Sequence, residues 1–146
     1  MQFTKAEEYG VFGVLYLADK DRTTITPLSE ISEAQGIPEK FLAKIFQSLS
    51  KAGIIRSYRG VRGGFSLSRR PDEISVKEVL ETIQGPYHLM RCVEDPKSCV
   101  SRQKTNGFCA LRELVVAAEE QLVSVFERHT LADLLQWQND HAGRVS

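Results

Sequence analysis

All three cysteines of the chain, Cys92, Cys99 and Cys109, fall in one stretch, separated by six and nine residues. That is not the two-residue spacing of a zinc knuckle or a thioredoxin-type pair. Structural thiols would be expected among apolar helical residues, whereas these stand with Asp95, Lys97, Ser98 and Arg102. Thiolates gathered on a loop suit soft-metal chemistry, iron–sulfur clusters included. The residues alone leave a zinc site or a thiol/disulfide switch open beside a cluster, and a fourth ligand is missing. Cys92 or Cys109 could also be a nucleophile with His88 or His129 as base. No glycine-rich phosphate cradle or triad accompanies them, so an enzyme is not expected.

A second group of residues is cationic. From position 37 to 70 stand Lys40, Lys44, Lys51, Arg56, Arg59, Arg62, Arg69 and Arg70 against the single acid Glu39, in a chain whose formal net charge is zero. Such a local excess is the footprint of a polyanion partner. Lys40 and Gln47 have the chemistry to read bases, lysine bonding guanine acceptors and glutamine pairing with adenine. Pro38, Glu39 and Ala43 share the same helix start, and Lys44 and Lys51 suit phosphate. Arg59 and Arg62 flank glycines at a bend whose tip can enter a minor groove or follow the backbone.

Particular elements must carry these residues. Phe41, Leu42, Ile45, Phe46 and Leu49 recur at one-sided helical spacing, opposite Lys40, Lys44, Gln47 and Lys51. This predicts a helix with an apolar and a cationic face. Ile55 and Ser57 going out and Phe65 and Leu67 coming back, around Gly60, Gly63 and Gly64, predict a hairpin in which glycine permits positive φ. A shorter helix precedes, with Thr26 as N-cap, Pro27 as its first residue, Gly36 as its end and Pro38 opening the next. The order is a helix-turn-helix with an appended wing.

Around this core, Thr4 with Glu7 and Ser75 with Glu78 have capping-box spacing and predict helices from about residue 4 to Ala18 and from Ser75 to Gly85. Leu111, Leu114, Val115, Ala118, Leu122, Val125 and Phe126 form a long stripe between Cys109 and His129. A stripe of that length can pair with its copy in a second subunit, and helix-turn-helix readers usually need two half-sites. Thr130 with Asp133 caps a last short helix, with Asn139 onward expected to fray. The fold class is therefore mainly α with a small β-hairpin wing. It divides into a winged helix-turn-helix domain at 1–85, a cysteine-rich loop at 86–108, a dimerisation helix and short helix at 109–137, and a tail at 138–146. Hydrophobic content of 42% and charged content of 26% over 146 residues are ordinary for a globular domain. The most apolar run, residues 11–18, is too short to span a bilayer. An odd cysteine count and no convincing signal peptide fit a reducing cytoplasm.

Taken together, FTKAEEYGVFGVLYLA, the helix-turn-helix, the wing RGVRGGFSL, the cysteine loop and the long helix resemble the Rrf2 family of bacterial transcription regulators over roughly residues 1 to 137. The family includes iron–sulfur cluster regulators and nitric-oxide sensors. The resemblance implies a homodimer with crossed long helices, winged domains on palindromic double-stranded DNA, and a 2Fe-2S or 4Fe-4S cluster on Cys92, Cys99 and Cys109. It also implies that Arg59 is a DNA contact. In the cluster-regulator branch a histidine three residues after the last cysteine completes the set; here that position is Arg112. In other branches an acidic residue of the partner's first helix serves, and Glu8 matches it, with His88 the next candidate.

Overall fold

The computed structural model describes the backbone of residues 3–90 and 108–145. Helix α1, Lys5–Ala18, opens with the full capping box, the Thr4 hydroxyl accepting from the Glu7 amide while Glu7 accepts from the Thr4 amide. Its Val14, Leu15, Leu17 and Ala18 become core, and its glycines let neighbours approach, while Phe12 stays exposed. A Cβ at Gly13 would lie 2.7 Å from the Phe46 ring, and one at Gly10 2.2 Å from Ile83. Helices α2, Leu28–Gln35, and α3, Glu39–Lys51, are joined through Gly36, whose φ of 64° is the left-handed cap glycine adopts without penalty. The Ile37 amide bonds the Ser32 carbonyl at 3.0 Å, closing that turn.

Strands β1, Ile55–Tyr58, and β2, Gly64–Leu67, pair antiparallel with Ile55 opposite Leu67 and Tyr58 opposite Gly64. Thr26 is not the helix cap expected of it. It forms a bridge to Phe65, with reciprocal backbone bonds of 2.9 and 2.8 Å, and Pro27 takes the cap position without a side-chain bond. Extended backbone beside a proline favours that exchange. The wing root is thereby tied to the start of α2.

A 3-10 turn, Pro71–Glu73, leads into α4, Val76–Gln84, capped by Ser75 and stopped at Gly85. Helix α5, Ala110–Arg128, has Cys109 as its N-cap, and α6, Leu131–Val145, follows after a two-residue break. Thr130 and Asp133 bond reciprocally at 2.9 and 3.2 Å, as their spacing predicts. Helix α6 does not end near Asn139. It continues to Val145, while Trp137 packs beside His129 at 5.1 Å between ring centroids.

One core joins these elements. Phe46, Leu42 and Leu49 of α3 are buried with Val14 of α1, Ile31 of α2, Ile54 and Ile55 at the wing root, Val79 of α4 and Leu131 of α6. The Ser75–Thr130 bridge pins the α5–α6 turn to the start of α4.

Candidate nucleic-acid interface and cysteine site

The cationic face starts with the angular position of residues on α3. Leu42, Ile45, Phe46 and Leu49 point into the core, which leaves Pro38, Glu39, Lys40, Ala43, Lys44, Gln47 and Lys51 exposed together. Phe41, expected on the buried side, is 61% exposed. It precedes Leu42 by 100° of helix rotation and falls outside the buried arc. The face holds its orientation because Phe46 packs edge-on against Phe65 of β2 at 5.0 Å, locking helix and wing together.

At the wing, Arg56, Arg59 and Arg62 are exposed and Val61 between the last two is fully so. Only Gly60 of the bend has a positive φ, 107°. Gly63 and Gly64 are required for closeness instead. A Cβ on Gly63 would meet the Tyr58 carbonyl oxygen at 2.4 Å, and one on Gly64 the Thr26 carbonyl oxygen at 2.3 Å. Arg69 and Arg70 do not join the face: Arg69 pairs with Glu78 and Arg70 with Asp72 at 2.7 Å. Six cations thus remain on the helix and wing.

Cys92 and Cys99 lie outside the described residues. The Cys109 Sγ, partly exposed, accepts from the Arg112 amide at 3.4 Å at the N-terminus of α5. A partly exposed sulfur at the start of a helix is a soft donor of the kind a soft-metal site uses. Among the described residues no three His, Cys, Asp or Glu side chains gather as a metal-binding group. Glu8, half-exposed in the first turn of α1, pairs with Lys5 at 3.2 Å. It lines an apolar cavity of about 360 Å³ with Phe12, Val125, Phe126 and Trp137. Val125 stands sixteen residues beyond Cys109, about 24 Å along the helix at 1.5 Å per residue. His129, at that same far end, bonds the Val125 carbonyl at 2.8 Å, so Cys109 and His129 form no catalytic pair.

Two buried carboxylates were not foreseen. Glu7 is 2% exposed and, beyond its cap, accepts from the Tyr87 hydroxyl at 2.8 Å. Burial first, then this bond, pushes the Tyr87 phenol up to about 12. Glu119, 8% exposed in the middle of α5, accepts from the Leu89 amide at 3.1 Å and meets His88 Nδ1 at 3.0 Å. A charged residue sharing the inward side of α5 with Val116, Val123 and Phe126 was the available signal.

Residues 3–137 match the family model described as Rrf2, iron-dependent transcriptional regulator. The chain belongs to the Rrf2 family. A curated HTH-type transcriptional regulator of Aquifex aeolicus is 30% identical over 146 residues, spanning 100% of this chain and 99% of that one. Among solved Rrf2-like structures, CymR, the global cysteine regulator of B. subtilis, has a TM-score of 0.76 at 26% identity, covering 94% of this chain and 98% of its own. IscR of T. potens has a TM-score of 0.73 at 25% identity, covering 93% of this chain and 87% of its own. The Rrf2 chain is accordingly a DNA-binding transcription regulator and not an enzyme. Among its described residues no helix is long and apolar enough to cross a membrane.

Proposed function

We propose that this regulator works as a homodimer on a palindromic operator, and that it senses iron–sulfur, redox or nitric-oxide status through a 2Fe-2S or 4Fe-4S cluster held by Cys92, Cys99 and Cys109. Lys40 and Gln47 read bases, Lys44 and Lys51 meet phosphate, and Pro38, Glu39 and Ala43 bring the helix start against the major groove. Arg59 and Arg62 hold the flanking minor groove or backbone. When bound, the cluster supplies a centre whose charge and ligation change on oxidation or nitrosylation.

The observation that carries the dimer is the outward side of α5. Leu111, Leu114, Ala118 and Val125 are exposed there, while Glu119 is buried and Phe126 partly covered. An apolar stripe of this kind on an isolated chain marks an interaction surface. It is also nearly palindromic about Ala118: an antiparallel copy sets Leu111 against Val125 and Leu114 against Leu122, as an isologous two-fold contact requires. The small Ala118 allows close approach at the crossing.

The same crossing supports Glu8 as a fourth ligand. Within one chain it stands far from Cys109, but a two-fold at Ala118 brings the N-terminal end of one α5 towards the Glu8-lined cavity of the other. Replacing each cysteine with serine and recording anaerobic visible absorption and operator affinity tests the reading. Loss of the chromophore in the variants supports it, and unchanged absorption in all three rejects the thiolate assignment. A colourless wild-type protein carrying zinc would favour a zinc site.

A further inference from the structure

The chain from Gln84, at the end of α4, to Leu89 is held from two sides. Towards α1, the Gln84 side chain bonds the Thr4 hydroxyl at 2.6 Å and the Tyr87 hydroxyl bonds buried Glu7 at 2.8 Å. Phe3, Tyr87 and Phe126 close over that link with ring centroids 5.8 to 6.2 Å apart. Towards α5, Glu119 takes the Leu89 amide and His88 Nδ1 on one carboxylate oxygen.

Packing does not explain a carboxylate there. The neighbouring inward positions are Val116, Val123 and Phe126, and a buried charge is worse for stability than an apolar residue of its size unless it fixes a particular arrangement. We propose that Glu119 is a positioning residue, which docks His88 and Leu89 on the middle of α5 and so sets where the cysteine stretch departs relative to Cys109.

The dimensions agree with this role. Cys92 follows Leu89 by three residues, about 10 Å of extended chain. Cys109 lies ten residues up the helix from Glu119, about 15 Å. The dock thus bounds how far from Cys109 the stretch can begin, and a dock one turn further down α5 would add about 5.4 Å to that distance. Because Glu7 grips the adjacent Tyr87, the same connector reports to α1, which packs against α3. Movement at the cysteines therefore has a short path to the reading helix.

This inference rests on the cysteine-sensor reading above, and Glu119→Leu separates the two. The leucine fills a similar volume among valines while removing both acceptor bonds. Expected are an unchanged far-ultraviolet circular dichroism spectrum, at least about tenfold faster hydrogen exchange at the Leu89 amide, and an altered electron paramagnetic resonance spectrum of anaerobically loaded protein. The ratio of loaded to stripped operator affinity should fall to within about twofold of unity, against about 5- to 150-fold for a coupled wild type. Glu119→Gln, which keeps an acceptor, should retain part of the ratio and so guards against a leucine variant that misfolds. A wild-type ratio retained in Glu119→Leu, with or without faster exchange, overturns the positioning role. A wild-type protein with no chromophore and no ratio overturns the sensor reading and the positioning role with it.

Discussion

Gly13 shows how a single side chain, or its absence, sets the reading helix. Its missing Cβ is where the Phe46 ring lies, and Phe46 in turn packs on Phe65 of the wing. Gly13→Ala should destabilise the fold by about 1–3 kcal/mol in urea unfolding, since a ring anchored on both sides cannot yield without repacking. Tyr87 offers a second test. Its phenol is raised from 10.0 to about 12 in the folded chain, so the folded state keeps a proton that the unfolded state has released. The resulting stability is complete below pH 10 and is lost as pH rises towards 12. Tyr87→Phe should flatten the stability profile across that window, and a slope unchanged from wild type would show that another group is responsible. At this scale the sequence was read well where one residue type has one physical job. The Thr4–Glu7 box was such a case. It was read less well where angle decides: Phe41 lies one residue outside the buried arc of α3, and periodicity alone does not place the arc's edge. Glu119 was hidden because its partners are an amide and a ring some thirty residues away.

Elements carry the DNA grip and, in the proposed dimer, the pairing of subunits. Arg59→Ala and Arg62→Ala should weaken binding alike on specific and nonspecific DNA, each lowering the log–log salt slope by about 1, if each meets one phosphate. Arg69→Ala should leave that slope unchanged, because Arg69 is occupied by Glu78. Lys40→Ala should instead cost about 1–3 kcal/mol at one base pair and relax the preference there. On α5, the double change Leu111→Glu with Leu114→Glu should give a monomer by sedimentation with its winged fold retained, because both residues are exposed in the single chain. A dimer persisting in that variant would place the interface elsewhere. Helix types and order were legible because caps and periodicity are local. The extent of α6 was not: beyond Leu135 there is no apolar period, and the helix continues while Trp137 packs on His129 and the cavity. Thr26 was misread for a similar reason, its partner strand lying some forty residues on.

For the molecule as a whole, the proposed reading joins a cationic head to a cysteine arm through a connector gripped by Glu7 and Glu119, so that the state of the cysteines alters the hold on DNA. The Rrf2 membership establishes the head's task, and the wing and α3 present six exposed cations for it. The sequence offers the arm only as three cysteines among polar residues, two of them outside the described residues. Its mechanical link to α1 and α5 came from long-range hydrogen bonds that no local pattern announces. The most direct test is operator affinity measured without oxygen on one preparation, loaded and then stripped, with the electron paramagnetic resonance spectrum recorded in each state. The account predicts affinities differing by about 5- to 150-fold, a coupling of about 1–3 kcal/mol, with the difference abolished by Cys109→Ser. Equal affinities for spectroscopically loaded and stripped protein would contradict it.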